Sequence, residues 1–347
     1  MKKFDAITIC SGQAGTPLVF RLAKAGMKVA FNEKQHLGGT CPNVGCTPTK
    51  TSVASARLMW DAHNSEDLGI EIPEGTVANM KKIKARKDAL IKKSVDQITK
   101  SVKENENITY IKGEAKFKET KVIEVNDTLL TAPEIYINVG GRPFIPKDSE
   151  KTCYLTNESL LELNEIPEHL LIIGGSYIGL ESGQMFKRFG SQVSIFERGG
   201  RIIHREDEKT SNAIHKFFEV EGVSFDLNKE CISGKRENEN SVSVSAKGSD
   251  GKEIKVTGSH LLLAVGRRLN TDILGLENTG IKINERGFII VNDHLKTIAE
   301  EIYNLDDCNG QGAFTHTAYN AYEIIAGNKF NGKDRKVSDR TLTYDLL

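Results

Sequence analysis

The chain has 347 residues, of which 38% are hydrophobic and 27% charged, the composition of an ordinary globular protein with two domains or three. Its 47 lysines and arginines balance 47 aspartates and glutamates, and zero net charge argues against a general nucleic-acid or membrane-surface binder. No apolar run approaches the ~18 residues of a membrane-crossing helix. Six cysteines in so long a chain do not make a secreted disulfide framework, so a cytoplasmic protein is expected. No Cys/His set has zinc spacing, and no metal is expected.

Met1-Lys2-Lys3 is followed by a short mixed segment rather than the apolar core of a signal peptide. Phe4 to Ile9 alternates as a buried strand does. Cys10-Ser11-Gly12-Gln13-Ala14-Gly15 then reads as a glycine turn, Pro17 to Ala25 as an amphipathic helix, and Lys28 to Phe31 as a second strand that closes on Glu33. Strand, glycine turn, helix, strand, acid is the order of a dinucleotide site. Amides at the helix start hold a pyrophosphate, and Glu33 accepts hydrogen bonds from a ribose hydroxyl. Gly12 and Gly15 stand at the second and third glycine positions. The first is Cys10, where a side chain costs about 1 kcal/mol if the local angles suit only glycine.

The next stretch is the most informative in the chain: Gly38-Gly39-Thr40-Cys41-Pro42-Asn43-Val44-Gly45-Cys46-Thr47-Pro48-Thr49-Lys50. Its two cysteines stand close enough to bridge if the helical turn between them is distorted, although two buried thiols are the ordinary outcome of such a spacing. The full string resembles the redox-active disulfide of the flavin-dependent pyridine nucleotide-disulfide oxidoreductases, a family that includes dihydrolipoamide dehydrogenase, glutathione reductase and mercuric reductase. The resemblance implies a Cys41–Cys46 bridge, with Cys46 nearest the flavin and Cys41 meeting the substrate. It also implies that Lys50 favours the reduced, anionic flavin.

Further along, Thr51 to Ala62 continues as a helix. Asn79 to Val102 reads as a long helix with a lysine-rich solvated face and an apolar stripe. Ile108 to Lys112, Ala115 to Lys118 and Lys121 to Val125 read as short antiparallel strands. Glu134 onward is a strand ending in the turn Gly140-Gly141-Arg142-Pro143. Pro167 to Ile173 then leads into Gly174-Gly175-Ser176-Tyr177-Ile178-Gly179, a helix to about Arg188, and a strand from Gln192 to Phe196 that ends at Glu197. The first site's order is thereby repeated, and two such units in one chain imply two dinucleotides. Ser176 at the second glycine position is a mild change. Glu197 favours the free 2′-hydroxyl of NADH, while Arg198 and Arg201 nearby suit the 2′-phosphate of NADPH. By resemblance, Glu181 pairs with Lys50.

A helix from Glu206 to Glu221 follows, with strands at Val223–Leu227, Ser241–Ala246 and Glu253–Gly258 and a hairpin turn at Gly248-Ser249-Asp250-Gly251. His260 to Val265 leads to Gly266. Ile302 to Cys308 is a strand ending in two acids. There the resemblance matches Asp307 to the aspartate that holds FAD and puts Asp306 in a glycine slot, where a second carboxylate repels a pyrophosphate. Gln311 to Ala326 reads as a helix, with His316 structural.

The expected fold is α/β, with two Rossmann-like three-layer (ββα) domains. An FAD domain (residues 1–148 and 269–338) is interrupted by an NAD(P) domain (149–268), and residues 339–347 open a further domain. In the family that domain forms the homodimer interface and supplies a His–Glu pair, without which proton delivery to a leaving thiol is slow. The resemblance implies FAD at Gly12, Gly15, Glu33, Gly39, Thr40, Lys50, Gly140 and Asp307, and NADH or NADPH at Gly174, Gly175, Gly179, Glu197 and Gly266. Electrons are expected to pass from NAD(P)H through the flavin to Cys41–Cys46, then to a disulfide or similar acceptor. With Cys10, Ser176 and Asp306 at glycine positions, the alternatives are a non-catalytic relative or a thiol redox sensor.

Overall fold

The computed structural model describes residues 1–147, 153–248 and 251–341. In chain order its elements are β1 (Lys2–Lys3), β2 (Ala6–Ile9), α1 (Gly15–Lys24), β3 (Val29–Glu33), α2 (Thr40–Val44), α3 (Cys46–His63), α4 (Met80–Lys103), β4 (Ile108–Lys112), β5 (Ala115–Glu119), β6 (Val122–Val125), β7 (Thr128–Thr131), β8 (Glu134–Ile137) and β9 (Gly141–Pro143). They continue as α5 (Asn157–Leu160), β10 (His169–Ile173), α6 (Tyr177–Phe189), β11 (Gln192–Glu197), α7 (Glu208–Val220), β12 (Ser224–Leu227), β13 (Lys229–Asn238), β14 (Ser241–Gly248), β15 (Glu253–Gly258), β16 (His260–Leu263), β17 (Arg267–Leu269), β18 (Ile302–Asn304) and α8 (Thr315–Phe330).

The chain forms two compact units. The first comprises Met1–Asn43, Ile91–Arg142 and residues 268–341. Its centre is a five-stranded parallel sheet in the order β18-β8-β2-β3-β4. Every residue of β2 and β3 is buried, as strands covered on both faces must be. Alternation along β2 sends Ile7 and Ile9 to one layer and Ala6 to the other. Ile7 and Ile9 meet Phe117, Ile123 and Leu130 of the β5–β6–β7 meander. On the opposite face α1 presents Leu18, Val19 and Leu22, and α8 presents Ala321, Ile324 and Ile325.

The second unit comprises Val44–Leu90 and Pro143–Arg267. Its parallel sheet runs β12-β11-β10-β16, and its second sheet is the antiparallel β13-β14-β15. Leu171, Phe196 and Leu261 pack towards Val242, Val244 and Ala246 of the antiparallel sheet. Leu170, Ile172 and Ile195 pack with Ala56 of α3, Leu180 and Phe186 of α6 and Phe218 of α7. Sheet, sheet and helices are thus layered in both units, as the expected ββα fold requires.

Local expectations differ from the structure in a few places. Ile108–Lys112 is not part of an antiparallel set, because β4 pairs in parallel with β3. Alternation makes a strand legible but carries no information about its partner. The helix expected from Gln311 begins at Thr315. Strands β7 and β13 had no expectation. Two residues of the expected 248–251 hairpin turn, and most of the segment 339–347, lie outside the described residues.

Candidate functional site

After β2 the chain turns at Cys10, whose φ is +71°. The Ser11 amide and hydroxyl donate to Glu33 Oε2 at 3.0 and 2.7 Å, and the Gln35 amide donates to Glu33 Oε1 at 2.8 Å. The acid at the end of β3 therefore braces the turn in a buried position. After β10 the same construction recurs. Gly174 has φ +111°, the Gly175 amide donates to Glu197 Oε2 at 2.8 Å, and the Gly199 amide donates to Glu197 Oε1 at 2.8 Å. Ser11 and Gly175 each stand 22 residues before their acid. Gln35 and Gly199 each stand two residues after it.

Both turns depend on glycine where the helix passes close to the strand end. A Cβ on Gly15 would lie 2.6 Å from the Cys10 carbonyl oxygen, and one on Gly179 would lie 2.0 Å from the Gly174 carbonyl oxygen. Ser176, with φ −104° and ψ −174°, occupies its position in ordinary extended backbone, so its substitution for glycine costs no backbone strain.

The cysteine segment runs alongside the first turn. A Cβ on Gly39 would sit 2.8 Å from Gly12 Cα, and Gly38 and Gly39 have φ +97° and +69°. The Ser11 hydroxyl accepts from the Gly38 amide at 2.9 Å, and Asn43 Nδ2 donates to the Leu37 and Gly39 carbonyls at 3.1 and 2.8 Å. Thr40 opens α2, and half-buried Cys41 follows it. Gly45 leaves the helical conformation (φ −124°, ψ −119°), and exposed Cys46 opens α3. The helix is thus broken between the two cysteines. Pro48 falls in the first turn of α3, where an amide donor is not needed. One turn on, Lys50 Nζ donates to Glu181 Oε1 of α6 at 2.5 Å.

At the end of β8, Gly140 has φ +56°, and its amide donates to Asp306 Oδ2 at 2.5 Å. Asp306 Oδ1 accepts from the Cys308 amide at 3.2 Å and from Cys308 Sγ at 2.7 Å. Its φ of −126° is open to any residue. The expectation of a carboxylate turned towards a pyrophosphate is corrected here: Asp306 is buried and tied to the chain's own donors. Burial, with the neighbouring charge of Asp307, pushes its carboxyl up to about 7. Asp307 is half-buried. His316, in the first turn of α8, stacks on Phe314 at 5.4 Å. Gly266 has φ +116° with open space around it.

Several contributors had no sequence signal of their own: Ser11 and Gln35, which clamp Glu33, and Tyr177, whose hydroxyl donates to Glu206 Oε1 at 2.5 Å. Aligning the two glycine turns would have pointed to Ser11 through Gly175 and to Gln35 through Gly199. Arg201 Nη2 donates to the carbonyls of His204 and Glu206 at 3.0 and 3.2 Å, and Arg198 is exposed. In both turns a Cβ at the glycine nearest the strand end would collide with a backbone carbonyl, so the helix starts close against the strand, as in a dinucleotide turn.

Comparison with known proteins agrees with this geometry. The family model described as pyridine nucleotide-disulphide oxidoreductase matches residues 4–321. A mercuric reductase of Lysinibacillus sphaericus is 32% identical over 344 residues, covering 96% of this chain and 61% of the relative. A dihydrolipoyl dehydrogenase of Thermus scotoductus is 31% identical over 331 residues, covering 94% of this chain and 71% of the relative. Among solved structures, the Cu(II) complex of the HOCl-induced flavoprotein disulfide reductase RclA from Escherichia coli superposes with a TM-score of 0.87 at 30% identity, covering 98% of this chain and 74% of that one. The chain therefore spans about three fifths of the mercuric reductase's length. Among the described residues no helix is long and apolar enough to cross a membrane. With a family match over most of its length and two glycine turns of the same construction, the chain belongs to the pyridine nucleotide-disulphide oxidoreductases.

Proposed function

We propose that this chain carries electrons from NADH through FAD to the Cys41 and Cys46 pair, and from there to a disulfide or similar acceptor. The observation that carries the reading is the repeated acid-clamped glycine turn, which supports two dinucleotides in one chain beside a glycine-lined cysteine segment. In the first unit, Gly12, Gly15, Gly39, Thr40, Glu33, Gly140 and Asp307 would hold FAD. In the second, Gly174, Gly175, Gly179, Glu197 and Gly266 would hold the nicotinamide dinucleotide. FAD, when bound, supplies two-electron transfer between a nicotinamide and a dithiol.

The residues have separable tasks. Glu197, fixed by two amides, keeps a carboxylate where a 2′-phosphate would be repelled, and Arg201 is turned to backbone carbonyls. Both features support NADH over NADPH. Cys41 presents the thiolate that attacks an acceptor disulfide, since the thiolate is the nucleophile in such exchange. Lys50, oriented by Glu181, takes the family's role of a cation that favours the reduced flavin. A homodimer is the proposed assembly, as in the family.

Counting thiols tests this path. One NADH carries two electrons and reduces one disulfide to two thiols, taking up one further proton. With FAD bound and oxygen excluded, NADH is expected to expose two additional reactive thiols in the wild type and none in Cys41→Ser or Cys46→Ser. An unchanged thiol count in FAD-loaded wild type would contradict the path.

A further inference from the structure

The first glycine turn has a floor that the second lacks. Asn138, immediately after β8, is buried, and its backbone amide donates to the Ile9 carbonyl at 3.0 Å. Its side-chain amide lies beneath the turn. The alternative orientation would give Nδ2 one long bond to the Cys10 carbonyl, 3.4 Å, but would aim it at two N–H donors. The orientation that satisfies both donors has Oδ1 accepting from the Gly12 amide at 2.9 Å and the Gly15 amide at 3.2 Å. Both glycines are demanded by this contact, since a Cβ on Gly12 or Gly15 would fall 2.8 or 2.6 Å from the Asn138 amide.

The second turn is an internal control. Its counterpart of Asn138 is Ala264, whose amide donates to the Ile173 carbonyl at 2.8 Å, as Asn138 does to Ile9. With alanine there, no side-chain amide reaches up, and the position matching Gly12 is Ser176. A large polar floor goes with glycine above it, and a small floor goes with a larger residue above. Two orphan donors at the start of α1 are satisfied from within the protein, by a group that carries no charge.

We propose that Asn138 is a positioning residue of the FAD turn, closing its underside with a neutral amide and so setting how tightly the turn holds the FAD pyrophosphate. This rests on the FAD reading above. An acceptor at this place must not be an anion, because a carboxylate beneath the turn would oppose the phosphates. The role belongs to the first turn alone and leaves NADH binding untouched.

The test compares full-length wild type, Asn138→Ala and Asn138→Asp for FAD affinity, NADH affinity and melting temperature. Asn138→Asp keeps an acceptor for both amides but buries a carboxylate that opposes the phosphates, so FAD affinity should fall ~100-fold, about 2.7 kcal/mol, beyond any loss that follows its melting temperature. Asn138→Ala should lose less FAD affinity, ~10-fold, but should melt lower. NADH affinity should be unchanged in both. Equal FAD affinity in wild type and Asn138→Asp, or losses of FAD and NADH binding that simply follow melting temperature, would overturn the proposal. A readout independent of FAD is the coupling between Gly12→Ala and Asn138→Ala: the first should destabilise the wild-type apoprotein strongly and the Asn138→Ala background much less. Additive effects would overturn the contact itself. Wild type that binds no FAD while the coupling holds would overturn the functional reading and the role assigned to Asn138, but not the contact.

Discussion

Cys10 and Gly174 occupy matching places in the two turns, and both have positive φ. A side chain in this region costs roughly 1–2 kcal/mol, which glycine avoids. Cys10→Gly gives up the packing of the side chain against the neighbouring core, as Cys10→Ala does in part, but only glycine relieves the backbone. Chemical denaturation should find Cys10→Gly more stable than Cys10→Ala by about 1 kcal/mol. Burial, and then the negative charge of Glu33, push the Cys10 thiol up, and burial with Asp306 does the same for Cys308. Both should resist alkylation in the native protein at neutral pH, since the thiolate is the reactive form. Asp306 makes stability depend on pH. Its carboxyl titrates near 7 in the folded protein and near 4 when unfolded, so the folded state binds the extra proton between those values. The associated stability is fully present below about 4 and is lost as pH rises through 7. Urea midpoints should therefore fall from pH 5.5 to 8.5 in wild type by more than in Asp306→Asn. Equal slopes would show that Asp306 is not the group responsible. The identity of Asp306 was legible in the sequence, but its inward aim was not, because that depends on the Gly140 amide from a distant strand.

Among the elements, α3 and α6 are joined by the Lys50–Glu181 pair. Lys50 is largely exposed, so the pair adds at most about 1 kcal/mol to stability. Lys50→Ala should leave the melting temperature within a few degrees of wild type, while the NADH-driven reduction rate falls ~10-fold or more if Lys50 has its proposed electrostatic role. A fall in rate that tracks lost stability would contradict that role. Arg188 of α6 is different. It is bonded to buried Glu221 beyond α7 at 2.5 and 2.9 Å, and removing one member of a buried pair strands the other. Arg188→Ala should cost ~3 kcal/mol or more in a denaturation experiment. Helices such as α1 and α6 were legible because apolar residues recur at helical spacing after a glycine turn. The break at Gly45 between the two cysteines was legible only as a condition for bridging. The pairing of β4 with β3 was hidden, because the partner strand lies 75 or more residues away in sequence, as Val29 pairs with Ile108.

At the scale of the whole molecule, the chain repeats one ββα layout, and the two glycine-acid signatures make that repeat legible in the sequence. The three-layer arrangement follows from it: strands buried on both faces need covering on both sides, and each unit supplies helices on one side and, on the other, a second sheet, antiparallel in the second unit and antiparallel except for the β1–β7 pair in the first. The placement of residues 44–90 with the second unit had no local signal, because it is set by Ala56 and Met80 meeting side chains from β10, α6 and α7. The floor beneath the first turn was equally hidden, since Asn138 reads in sequence as an ordinary residue at a strand end.

The proposed path runs from NADH through FAD to the cysteine pair. The most direct measurement is the visible absorbance of the purified, FAD-supplemented protein before and after one equivalent of NADH without oxygen. The account predicts stoichiometric flavin that ends oxidised beside a new long-wavelength band, because the two electrons pass on to the cysteine pair; in Cys46→Ser the band is absent and the flavin bleaches instead. A protein that stays colourless after FAD addition and gel filtration would contradict it.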